Sequence, residues 1–182
     1  MASNGNVPPP FRLVPYRDTA TRVAVQQTAE SSVIKAFIDA GYGTPRVRQG
    51  YWYDMQKNGG TAYNGSNEIE FASGSNSEGF PDMVVLPITI PPGVAWSIYG
   101  IADYTAQPSL QAMKITQNDA IYPLIFLAPD IYTNEDHKAI LNGNLPAIIA
   151  TGSLSITLYG TAATTDHIDM LFEIAERNAG SS

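Results

Sequence analysis

From Pro81 onward the chain is a succession of short apolar runs separated by turn residues, and this spacing constrains the fold more than any other feature of the sequence. "DMVVLPITI" and "VAWSIYGIAD" flank Pro91-Pro92-Gly93, where proline presets the backbone and glycine admits positive φ, so the two runs read as strands joined by a turn. "SLQAMKITQ", "AIYPLIFLA", "AIIATG", "LSITLYG" and "HIDMLFEIAE" follow at similar intervals. The last is ambiguous. Ile168, Met170, Phe172 and Ile174 keep period two, while Ile168, Leu171, Phe172 and Ala175 fit a helical face; it is read here as a strand. There is no internal repeat and no strand–helix–strand alternation, which argues against a parallel sheet. About eight short strands instead predict a mainly β chain, an antiparallel β-sandwich of jelly-roll type with one or two short helices. Pro87 and Pro123 fall inside strand segments and must occupy edges or bulges, because proline cannot donate to the ladder.

The first third reads differently. Residues 1–18, "MASNGNVPPPFRLVPYRD", hold four prolines and no apolar period, so residues 1–20 are expected to form an extended arm ahead of a sandwich domain over 21–182. "TRVAVQQT" at 21–28 alternates and reads as a strand. "ESSVIKAFIDAGYG" predicts a helix near 31–40, capped by Ser31 or Ser32, with Val33, Ile34, Phe37 and Ile38 on one face and Gly41 at its stop. "RVRQGYWYDM" reads as a strand, followed by loops around a short strand, "EIEFA". Further on, "TNEDHKAILNGN" reads as a short capped helix or turn, opened by Thr133 or Asn134 and closed at Asn142-Gly143.

Composition removes several classes of chemistry. The chain has 182 residues, enough for one ordinary core without staples, and it has no cysteine, which excludes disulfides, thiol catalysis and cysteine-ligated metals. Only 15% of residues are charged, against roughly 25% in an average soluble protein, and this polar-uncharged texture suits a rigid β protein better than a helical enzyme. The N-terminal residues show neither a basic n-region nor an apolar h-region, and no uninterrupted apolar stretch is long enough to span a bilayer, so a soluble protein made in the cytoplasm is expected. Net charge is −7 but uneven: residues 1–60 carry seven basic side chains against four acidic, and residues 61–182 three against thirteen. Such asymmetry suits an arm that docks on an acidic surface. Clustered Lys/Arg blocks for phosphate contacts are missing, so no direct nucleic-acid binding is expected.

Motifs for catalysis are sparse. No G-x-S-x-G elbow is present, and "GYGTPR" at 41–46 follows a helix instead of opening one, so it reads as a cap and turn, not a dinucleotide fingerprint. His137 and His167 each have acids beside them, and His167 with Asp169 forms an H-x-D on one face of a strand. Metal-dependent jelly-roll oxygenases place H-x-D early and a lone histidine late, the reverse of the order here. Oxygen-rich loops with Asn64, Asn67 and Glu68, and with Glu78 and Asp82, are candidate calcium ligands without the D-x-[DN]-x-[DN]-G pattern. Asn64-Gly65-Ser66 is a sequon, expected to stay unmodified without export, and the scattered acids single out no carboxylate pair for glycoside hydrolysis. Neither a metal nor a cofactor is expected.

The aromatic triplet Tyr51-Trp52-Tyr53 remains. As part of a strand, its two tyrosines face one way and Trp52 the other, so at least one ring belongs to the core. Exposed rings of this kind serve either as a sugar platform or as anchors of a subunit contact, where Tyr, Trp and Arg concentrate. The basic arm nearby favours contact, and the expected interface residues are Phe11, Arg12, Tyr16, Arg17, Arg22, Arg46, Arg48, Tyr51 and Tyr53.

In overall plan, from the arm "NVPPPFRLVPYRD" through the strands of 81–176, the chain resembles jelly-roll capsid-associated proteins of tailed phages and related viruses, including cement or decoration proteins. That resemblance implies a non-enzymatic virion protein, made in the host cytoplasm, that binds a capsid protein and copies of itself, with a homotrimer favoured. The competing expectations are a carbohydrate-binding sandwich module and a metal-dependent jelly-roll enzyme.

Overall fold

In the strands, alternate apolar side chains can all be buried only if two sheets face each other, and the computed structural model has that arrangement. It describes residues 12–15, 19–59, 67–74, 76–105, 109–117, 120–121, 125–126, 138–142 and 148–178. In chain order the elements are β1 (Arg12–Pro15), α1 (Thr19–Asp39), β2 (Pro45–Gln49), α2 (Trp52–Gly59), β3 (Glu68–Glu70), β4 (Ala72–Ser73), β5 (Asp82–Thr89), β6 (Val94–Asp103), β7 (Leu110–Gln117), β8 (Ala120–Ile121), β9 (Ile125–Phe126), β10 (Lys138–Asn142), β11 (Ile148–Ala150), β12 (Ser153–Gly160) and β13 (Thr165–Arg177). One sheet has the order β1-β10-β6-β13-β2, with β11 also on β6 and β3 on β13; the other runs β4-β5-β12-β7-β8, with β9 also on β7. Every pairing is antiparallel. The fold is a mainly β, two-sheet sandwich with two helices.

Between the sheets lie Leu86, Ile88, Ile98, Ile115, Leu154, Ile156, Leu158, Met170 and Ile174, all buried, with Trp96 and Phe172 in ring contact at 4.6 Å. The ambiguous segment "HIDMLFEIAE" is strand β13, and its period-two set Ile168, Met170, Phe172 and Ile174 forms the inward face. On β6 the inward set changes parity. Trp96 and Ile98 are followed by Ile101 and Asp103, because a register shift opposite Leu171–Phe172 gives β6 one extra residue there.

The expected turn at Pro91-Pro92-Gly93 is formed: Val94 N–H donates to Pro91 O at 3.2 Å, with Gly93 at φ 77° supplying the left-handed position. Pro87 does sit on an edge. Ile90 donates inward to Gly152 at 2.8 Å, so by alternation the nitrogen of Pro87 points away from β12, while β4 covers only Asp82 and Met83. Pro123 lies outside the described residues.

Three segments depart from expectation. Residues 21–28 are not a strand. They belong to α1, a 21-residue helix that lies across the outer face of β6 and β13. Its buried stripe is Val25, Ala29, Val33 and Phe37 at i+4 spacing, packed on Tyr99, Leu171, Ala95 and Ala175. Thr28 and Ser32 return their hydroxyls to the carbonyls four residues back, at 2.8 and 2.6 Å, which lets polar residues sit mid-helix. The helix ends where expected: Tyr42 N–H donates to Phe37 O and Gly41 N–H to Ile38 O, with the Phe37 and Tyr42 rings 5.2 Å apart, a complete Schellman closure.

The second departure is "RVRQGYWYDM". Only residues 45–49 are strand, and the chain turns at Gly50 into α2. The third is Lys138–Asn142, a strand between β6 and β1 and not the end of a helix; residues 133–137 and 143–144 of that segment lie outside the described residues. In the expected arm, residues 12–15 form β1, paired from Arg12↔Asn142 to Pro15↔Ala139, and Thr19 already opens α1.

Candidate functional site: an aromatic patch on a clamped helix

The aromatic triplet lies where β2 hands over to α2, and three interactions fix it. Gly50 donates to Phe172 O at 2.8 Å, and a Cβ at Gly50 would fall inside the Phe172 ring, so only glycine lets the chain pass this close to the core. Tyr51 then acts as the N-terminal cap residue of α2: its carbonyl accepts from Asp54 N–H at 2.8 Å, and its own N–H donates to Asp54 Oδ2 at 3.0 Å, the reciprocal half of a capping box. Finally Arg48 grips Asp54 with two guanidinium nitrogens, at 2.9 and 2.6 Å, and reaches Glu176 on β13 through Nε at 3.3 Å. This bidentate fork ties α2 to the edge of the sheet. Burial pushes the Asp54 carboxyl up, but the Arg48 hydrogen bonds and charge outweigh it and hold the group below the usual carboxylate range.

Trp52 packs against the main core, whereas Tyr51 and Tyr53 are 60% and 69% exposed. One ring of the triplet is core and two are surface, as the sequence suggested. The reason differs, since the partition follows from the start of a helix and not from strand alternation. Of the other expected interface residues, Arg46 is exposed on β2, but Arg48 is not available to a partner, being engaged by Asp54 and Glu176. Arg12 lies in β1 and Arg22 in α1, while Phe11, Tyr16 and Arg17 lie outside the described residues.

The described side chains of the oxygen-rich loops are engaged with one another and with neighbouring strands. Glu78 pairs with Lys114 at 2.5 Å, Asp82 is buried and accepts from Ser73, and the Asn76 side chain closes its own loop by bonding Gly74, Glu78 and Phe80. Asn67 donates to Asp169 at 3.2 Å, and His167 faces Glu68 at 3.6 Å. His167 and Asp169 do share a face, the outer one. His137 and Asn64 lie outside the described residues, and among the described residues no three His, Asp or Glu side chains gather as a metal site.

Sequence reasoning missed the role of Glu173. It is buried between β13 and α1, accepts from Gln26 at 2.9 Å, and is pushed up by that burial. Its cross-strand neighbour Ser97 is also buried, with its hydroxyl unpartnered. The signal was a charged residue within the apolar run Met170–Ala175, readable only once α1 was known to cover that face. No family model matches the chain, and no curated protein matches it.

Proposed function

We propose that this chain is a non-enzymatic structural protein of a virus particle, a capsid cement, decoration or minor capsid protein that stabilises the shell by contact with capsid protein and with copies of itself. The observation that carries the reading is the pair Tyr51 and Tyr53, exposed on a segment that Arg48, Asp54 and Gly50 hold rigid. Tyrosines with few rotatable bonds, presented on a fixed backbone, lose little entropy on docking, which is what interface anchors require. The strand order adds fold-level support. Taken in sequence, β2, β5, β6, β7, β8 with β9, β10 with β11, β12 and β13 alternate between the sheets except at β8 and β9, with the last strand set between the first and third. That order supports reading the sandwich as a jelly roll, a fold that virus shells share with lectins and cupins.

Native mass spectrometry of the full chain tests the reading: a closed, metal-free oligomer, a trimer being favoured, is the expected result. Tyr51→Ala/Tyr53→Ala should lower its stability by at least tenfold in dissociation constant while leaving the melting curve within about 0.5 kcal/mol, because both side chains are exposed. A monomer at micromolar concentration would overturn the proposal, and glycan binding lost in the same variant would replace it with a sugar-binding module. Arm truncation should stop at residue 11, since deletion through 18 also removes β1 from the sheet.

A further inference from the structure

One end of the sandwich carries two carboxyls with no access to water, Asp103 at the end of β6 and Asp166 near the start of β13. Strand alternation puts both inside. Asp166 continues the inward series Ile168, Met170, Phe172, and the extra residue in β6 turns Asp103 inward where an unbroken strand would have turned it out.

The two are served unequally. Both oxygens of Asp166 have donors: Oδ2 accepts from the N–H groups of Ser109 at 2.7 Å and Leu110 at 3.2 Å, and Oδ1 accepts from Thr164 Oγ1 at 3.0 Å. Asp103 Oδ1 accepts from Thr105 N–H at 2.9 Å, while its Oδ2 is buried and finds no donor. A buried negative charge on Asp103, with no donor for Oδ2, is a costly arrangement. A proton on Asp103 Oδ2 removes the charge and supplies a donor toward Asp166.

We propose that Asp103 carries a proton on its donorless Oδ2, and that this proton is a pH-sensitive joint between the two sheets. Asp103 and Asp166 belong to one sheet, and Ser109–Leu110 open β7 of the other, so the pair and its donors span the interlayer gap at this corner. Loss of the proton places two like charges in the gap and loosens the connection that runs from Asp103 to Ser109. Burial first, and then the neighbouring Asp166, push Asp103 up to about 7, against the pull of the Thr105 hydrogen bonds. Asp166 is the charged group facing it from β13. His167 and Glu68 pair with each other on the exposed side, Glu70 on β3 is exposed, the start of β7 contributes uncharged Ser109 and Leu110, and the side chain of Lys138 on β10 lies outside the described residues.

The sign follows from linkage. The folded state holds a proton that the unfolded chain releases near pH 4, so stability falls as pH rises from about 4 to about 7 and is level beyond. In chemical denaturation at pH 5 and pH 7, the unfolding equilibrium constant of the wild type should rise by up to about a hundredfold more than that of Asp103→Asn, whose amide keeps a donor at every pH. Equal pH dependence in the two proteins overturns the joint. Infrared titration of the wild type checks it without any variant: a protonated-carboxyl band should persist at pH 6 and vanish by pH 8, and its absence at pH 6 also overturns the proposal.

Discussion

Gly50→Ala should destabilise the chain by about 3 kcal/mol. The added Cβ falls inside the ring of Phe172, whose centroid lies 4.6 Å from that of Trp96, so the buried ring has little room in which to retreat. The backbone cannot yield either, because Gly50 N–H is bonded to Phe172 O. Guanidinium unfolding of Gly50→Ala, Phe172→Leu and the double variant isolates the collision. The double variant should be less destabilised than the sum of the singles by about 1 kcal/mol or more. Strict additivity would mean that methyl and ring do not meet.

The second large effect belongs to Arg48. Removing its side chain leaves Asp54 nearly buried and without its cation, a defect that costs about 3–5 kcal/mol in a dry interior. The Arg48 side chain is 32% exposed, so water relieves part of this and Arg48→Ala should cost about 2–3 kcal/mol. Asp54→Ala in the same background should recover part of that loss. The pH dependence also has a defined sign. In the wild type the lowered Asp54 group contributes stability above its unfolded value, and that contribution disappears as pH falls through the folded value. In Arg48→Ala, burial is opposed only by the Tyr51 hydrogen bond and the charge of Lys57, so the loss on acidification should begin at higher pH than in the wild type. If Arg48→Ala and wild type lost stability over the same pH range, the clamp would not be what holds Asp54 ionised. Because Tyr51 caps the same helix, loss of the clamp should also weaken self-association beyond the stability cost.

The sandwich was legible because its strands announce themselves. Leu86, Ile88 and Ile90 alternate with Pro87 and Thr89, and Leu154, Ile156 and Leu158 with Ser155 and Thr157, and both runs are bounded by proline or glycine. α1 was half legible. Its C-terminal turns carry Val33 and Phe37 before Gly41, but among the described side chains of its N-terminal half only the small Ala29 is fully buried and Val25 partly so, no acid marks its first turn, and Val23 and Val25 imitate a strand. The i+4 series through Ala29 was there to be read, carried by a residue too small to weigh in a hydrophobic pattern. The aromatic patch was legible in composition and not in geometry. Nothing local says that the strand must stop at Gly50; Phe172, far along the chain, imposes it. Asp103 was illegible for a similar reason, since its facing depends on one extra residue in β6 that appears only when β6 is laid against β13.

Pro87 carries a consequence for how copies of this chain can associate. Molecules crowded side by side at high local concentration are prone to zip together backbone to backbone, each lending its outermost strand to the next without limit. Along the β5 margin such a zipper would stall, because one rung has no hydrogen to give. Growth in that direction is closed, so association is left to side chains, whose shapes select a fixed number of neighbours and then stop.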